Sequence, residues 1–333
     1  MQWSHDRRKI IGRFFPDLDE HAAIYKDLLH HHPELPCQEQ RTTSVVASRL
    51  KTLGFSVQRH IGGHGVVGLL PNGPGAKVLL RSELDALPII EATGLPYASK
   101  VEQVDADVIK KGAMHACAHD MHMACLLSVA ALLHSARALW SGTLIVLFQP
   151  NEERLLGAKA MIEDNLFGKI PLSTVCLAQH CVPTKSGTVA VKPGRVLGFL
   201  DSLAVWVYGR GAHGATPQLA IDPTVLVASI LTPLQTVERA AEVVQEMTPD
   251  IVADDSVLLA LPPGNKEPIP YVYWNIGVTD PETWDRANRV GKLWDLAPTH
   301  SATYTPVIEP TLRTGVGALA LSALTFLHVN SGT

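Results

Sequence analysis

Three β-rich runs, Lys77–Leu80, Thr143–Phe148 and Thr174–Leu177, are set apart by helical pattern such as Met123–Ala138 and Gly157–Asn165. Strands isolated by helices enter a mainly parallel α/β sheet with helices on both faces. The ligand site of such an open sheet lies beyond the carboxyl ends of its strands. Here the first run leads into Arg81-Ser82-Glu83-Leu84-Asp85, the second into Gln149-Pro150-Asn151-Glu152-Glu153, and the third into Gln179-His180. Three sets of ionisable groups are therefore expected to meet along one edge, a convergence that packing alone does not require.

Helical spacing of apolar residues also marks Leu18–His31, Gln40–Leu53, which stops at Gly54, and Pro310–Leu327. Val66–Leu70 and Lys77–Leu80 flank a Pro/Gly-rich turn and are expected to pair with each other. The texture changes from Gly194 to Val244: a strand at Leu200–Val207, a Gly-rich turn, and a helix over Asp222–Val244. Pro263–Tyr273 reads as loop. The expected organisation is one larger domain in two parts, residues 1–193 and 245–333, with a small element, residues 194–244, inserted between them.

Composition narrows the class of partner. The chain has 333 residues, 46% of them apolar, and a formal charge of −4, with no Lys/Arg run, which argues against a nucleic-acid partner and for a small molecule. No apolar run reaches the length of about 18 residues needed to span a membrane. Five cysteines, an odd number thinly spread, do not make a disulfide framework and are expected to be reduced. Met1–Pro16 lacks a signal-peptide apolar region, so a cytoplasmic location is expected. Most of the fifteen histidines must be ordinary, and the run His30-His31-His32 before Pro33 reads as a helix C-terminus.

One stretch is not ordinary. His115-Ala116-Cys117-Ala118-His119-Asp120-Met121-His122 precedes the long apolar helix and combines thiol, imidazole and carboxylate, a set suited to Zn²⁺ or its neighbours. Taken singly, Cys117 reads as a small core residue and Asp120 as a helix N-cap; together they favour a metal. Glu152 and Glu153 are expected on opposite sides of an extended backbone, one to ligate metal and one to hold a water. A thiol enzyme built on Cys117 and His119 is disfavoured, because i and i+2 spacing does not set a base against its own nucleophile.

These residues fall within a larger pattern. Arg81–Pro88, Gly112–Asp120, Phe148–Glu153, Gly209-Arg210-Gly211-Ala212-His213-Gly214-Ala215-Thr216-Pro217 and His300-Ser301 occur in order over most of the chain. So arranged, the chain resembles the M20 family of metallopeptidases, in its amidohydrolase branch of hippurate, N-acyl-amino-acid and auxin-conjugate hydrolases. The resemblance implies two divalent metal ions, Zn or Mn, on Cys117, His119, Glu153, His180 and His300. It further implies Glu152 as general base, Asp85 as orienter of the ligands, and His213, on the inserted element, as a donor to the oxyanion. The implied reaction is hydrolysis of an amide bond in N-acyl amino acids or related small conjugates.

The chain departs from the family's usual Gly at Ala118, Asp at Glu83 and Ala at Asn151, and Asp254-Asp255-Ser256 stands where the family has Glu-Asp-Phe. The family's inserted lid is a four-stranded, two-helix α/β unit that also carries a homodimer contact. By average element lengths it needs roughly 70 residues, whereas Gly194–Val244 holds 51. A truncated lid is expected, and with it the alternative of a catalytically impaired binding protein of the same fold.

Overall fold

Central strands buried on both faces send successive side chains into two different cores. The computed structural model describes residues 2–13, 18–105, 109–193, 205–239, 255–265 and 267–329. The chain divides into two compact units, Met1–Val196 with Asp254–Thr333, and Leu197–Ala253. In the first unit the strands are β1 (Ser56–Ile61), β2 (Gly65–Asn72), β3 (Lys77–Glu83), the short pair β4 (Glu102–Val104) and β5 (Lys110–Gly112), β6 (Trp140–Gln149), β7 (Val175–Lys185), β8 (Val189–Ala190), β9 (Tyr271–Thr279) and β10 (His328–Val329). Apart from β4 and β5 they form one mixed sheet, ordered β1-β2-β6-β3-β7-β9-β8, with β10 on the start of β6. Its centre, β6-β3-β7-β9, is parallel throughout, and β1, β2, β8 and β10 pair antiparallel.

Side chains two apart share a face. Val78, Leu80, Leu144, Val146, Phe148, Val175 and Leu177 face one core, while Leu79, Ile145, Leu147 and Cys176 face the other. The first core is closed by helices α1 (Gln2–Ile11), α2 (Leu18–Ala23, widening into a π-helical turn over Ile24–His30), α3 (Gln40–Thr52), α4 (His119–Ser135) and α9 (Ile308–Phe326). The second is closed by α5 (Gly157–Glu163), α6 (Leu166–Lys169) and the turn Asp255–Ala260. Burying a Val or Leu side chain contributes about 1.5–3 kcal/mol, so strands apolar on both faces belong at the centre of such a sheet. Helix α4, buried on nearly every side, lies against α9. Gly315 permits that approach: a Cβ there would stand 2.6 Å from Cys125 Sγ.

The expected pairing of Val66–Leu70 with Lys77–Leu80 does not form, because β6 runs between β2 and β3 and pairs with both. Both strands are buried on both faces, and each gains a neighbour on either side. Strand β9 occupies the end of the segment expected to be loop, and α8 (Pro281–Arg289), capped by Asp280, follows it.

In the second unit, Arg210 and Ile221 bridge, Pro217–Leu219 makes a single turn, and α7 (Pro223–Arg239) is helical. Of the strand expected over Leu200–Val207, residues 205–207 are not in a strand and the rest lies outside the described residues, as do residues 240–244 of the expected helix.

Candidate metal centre

The ends of β3 and β6 and the middle of β7 place the acidic groups and His180 together. The β3–β6 pairing continues one step past β3, where Leu84 N donates to Gln149 O at 2.8 Å, and Asp85 follows. After β6 the backbone turns at Asn151, whose φ is +53°, and delivers Glu152 and Glu153. Glu39 anchors that turn by accepting Asn151 N at 2.9 Å. His180 lies within β7, three residues beyond the expected strand end at Leu177.

Cys117 and His119 come from the loop that starts α4. Ala118 between them is left-handed, with φ +65°, a conformation costing a residue with a Cβ about 1–2 kcal/mol. Glycine, with no Cβ, would adopt it without that cost. Leu155 and His300 are left-handed as well, so several strained residues border one site. The His300 turn is tied to the same loop, its backbone N donating to Ala116 O at 2.8 Å.

The five expected ligands face one another. Cys117 Sγ is 3.4 Å from His180 Nε2 and 3.2 Å from His300 Nε2. Glu153 Oε2 is 3.5 Å from His300 Nε2, and its Oε1 is 3.8 Å from His119 Nε2. Glu152 Oε2 lies 3.5 Å from the same nitrogen. Three triplets able to hold an ion overlap here: Cys117, His119 and His180; Cys117, Glu153 and His300; His119, Glu152 and Glu153.

The hydrogen bonds leave the inward atoms open. His119 donates from Nδ1 to Asp85 O at 2.8 Å, and His180 from Nδ1 to Cys181 O at 2.8 Å, so each presents Nε2 to the centre. Asp85 Oδ2 accepts the Glu153 N–H at 2.9 Å. His119 Nε2, Glu153 Oε1 and Asp85 Oδ1 are buried and have no hydrogen-bond partner. Leaving such atoms unpaired costs about 1–3 kcal/mol each, and a cation would satisfy them. Together with a thiol and three imidazoles, they fit a divalent transition metal.

Burial and neighbouring charges shift the ligands in opposite directions. Burial pushes the Cys117 thiol up to about 12 and the Glu153 carboxyl up to about 7. Burial opposes charge on His119, yet Asp85 and Cys117 hold its pKa well above the ordinary value. Burial, reinforced by His122, takes His180 down to about 3, and burial also lowers His300. A metal bound by these groups would displace protons from Cys117, His119 and part of Glu153.

In a fourth triplet, Glu83, His119 and His122, the Glu83 and His122 atoms are already paired within the protein. Glu83 pairs with Arg81 and accepts from His122 Nδ1 at 2.8 Å, while His122 Nε2 accepts the Cys181 N–H at 2.8 Å. The His122 ring stands edge-on to His180, 4.6 Å between centroids. Despite its burial, Glu83 stays well below the usual carboxylate range because of Arg81 and His122. This set packs against His180 and holds the backbone next to it, an arrangement that the spacing of single motifs does not disclose. Asp120 is not the helix N-cap: that position is Ala118, and the Asp120 carboxylate meets His30.

His213 belongs to the Leu197–Ala253 unit, where its Nδ1 accepts from Ala215 N at 3.1 Å. The five cysteines are free. Among the described residues no helix is long and apolar enough to cross a membrane.

Residues 79–312 match the model of peptidase family M20/M25/M40. The chain is 41% identical over 223 residues to hippurate hydrolase of Campylobacter jejuni, covering 66% of this chain and 55% of that protein. It is 37% identical over 211 residues to N-acetyl-L-cysteine deacetylase of Bacillus subtilis, covering 63% and 48%. It thus spans about half the length of the curated relatives it matches. Its fold is that of the Bacillus subtilis YXEP protein, described as a dinuclear metal binding peptidase, with a TM-score of 0.61, 21% identity and coverage of 96% of this chain and 99% of that one.

Proposed function

Because the chain belongs to peptidase family M20/M25/M40, we propose that its centre hydrolyses the amide bond of N-acyl amino acids or related small amide conjugates. The observation that carries this reading is the overlap of three ligand triplets around buried polar atoms that have no hydrogen-bond partner. Cys117, His119, Glu153, His180 and His300 would hold two divalent ions, zinc or manganese. When bound, these supply Lewis-acid polarisation of the amide carbonyl and an attacking water of lowered pKa.

Glu152, buried and 3.5 Å from His119 Nε2, would take the proton of the attacking water and pass it to the leaving amine. Asp85 acts through two ligands at once, receiving Glu153 N–H on its carboxylate and His119 Nδ1–H on its carbonyl. His213 is the proposed oxyanion donor from the inserted unit. A homodimer formed through that unit belongs to the same reading, as do the domain limits 1–193, 194–244 and 245–333.

The test is a pair of substitutions. Glu152→Gln should retain metal and lose hydrolysis by about 10²–10⁴-fold, while Glu153→Gln should lose metal. The reverse pattern would exchange the two roles. The short Gly194–Val244 window favours a second reading, in which metal is bound and no N-acyl amino acid is turned over; a substrate panel on metal-loaded protein separates the two.

A further inference from the structure

His30 closes the π-helical turn after α2, yet it is 1% exposed and both its ring nitrogens face carboxylates. Nδ1 is 2.6 Å from Asp120 Oδ2 and Nε2 is 3.1 Å from Glu91 Oε1. A neutral imidazole has one donor and one acceptor nitrogen, so only the doubly protonated ring satisfies both contacts. Tyr25 and Tyr97 pack around it, with ring centroids at 5.5 and 5.2 Å. The ring is thus a buried cation with two partners, and no nitrogen is left to ligate a metal.

Each partner belongs to a segment that ends at the candidate centre. Asp120 follows His119, and its Oδ1 accepts Met121 N at 2.8 Å, fixing the first turn of α4. Glu91 accepts the Thr93 hydroxyl and, at 2.6 Å, Ser99 N. The next residue, Ala92, donates its N–H to Ala302 O at 2.8 Å, two positions after His300.

We propose that His30 is a positioning residue of the metal centre: held between Asp120 and Glu91, it sets the helix start that carries His119 and the loop that seats the His300 turn. This rests on the metal reading above. Positions that support ligands from behind typically change metal affinity by about 10–100-fold when altered, whereas a residue serving only the core changes stability alone.

The test measures zinc affinity of the full chain by competition with a chromophoric chelator, the absorption spectrum of the cobalt-loaded protein, and thermal unfolding of the metal-free form. His30→Gln should weaken zinc binding about 10–100-fold and shift the cobalt bands. Glu91→Gln, which leaves the Asp120 contact in place, should move both in the same direction by less, and it decides the matter if His30→Gln does not fold. Val46→Ala, a core truncation in α3, should lower the melting temperature and leave zinc affinity and cobalt bands unchanged. Unchanged affinity and bands in both clamp variants, with only the melting temperature lowered, would overturn the proposal while the metal reading stands. A wild-type chain that binds no zinc would overturn both.

Discussion

Raising the pH should weaken the fold through His30 in a way that one substitution removes. Burial opposes charge on this ring, but Asp120 and Glu91 raise its pKa from 6.5 to about 10. Between those values the folded chain holds a proton that the unfolded chain has released. The stabilisation is fully present below pH 6.5 and is lost as the pH rises through about 10. Within that window one such group lowers the unfolding free energy by about 1.4 kcal/mol per pH unit, or about 3 kcal/mol between pH 7 and 9. Asp120 and Glu91 have lowered pKa values and stay ionised, while Tyr25 and Tyr97 have raised ones and stay neutral. Urea unfolding of chelator-treated wild type and His30→Gln at pH 7, 8 and 9 isolates the effect, since Glu39 and the buried cysteines contribute to both. The stability gap between the two proteins should narrow with each step. A gap that stays constant across the range would refute the charged clamp.

Gly315→Ala should destabilise the fold by about 1–3 kcal/mol, because the new Cβ would meet Cys125 Sγ at 2.6 Å and Gln179 Nε2 at 2.9 Å; urea midpoints check this. Asp85→Asn should reduce metal content by weakening the hold on Glu153 N–H, and normal metal loading would remove Asp85 from the orienting role. Grafting a complete lid after Leu234 should raise hydrolysis of N-acyl amino acids, and equal rates would show that the short insert suffices.

The central strands were legible because strands buried on both faces read as continuous apolar runs, as in Leu144–Phe148, and the acids that follow them are a property of chain order. Cys117, His119, Glu153, His180 and His300 do come together with Asp85 and Glu152. Pairing order was not legible: nothing local in Val66–Leu70 says that β6, more than 70 residues later, will separate it from β3. Strand β9 starts inside Pro263–Tyr273, which has no helical period and reads as loop, although Tyr271–Thr279 is rich in β-branched and aromatic residues. His30 was hidden for a different reason. A histidine ending a helix usually meets solvent, and its partners stand 61 and 90 positions away, so only the fold reveals it as an ion-paired core residue.

The measurement that bears most directly on the central claim is the metal content of the purified chain, with amide hydrolysis followed before and after chelation. The account predicts two transition-metal equivalents per chain, a lower content in Cys117→Ala and His119→Ala, and loss of N-acyl amino acid hydrolysis when metal is removed. Undiminished hydrolysis by metal-free protein would contradict it.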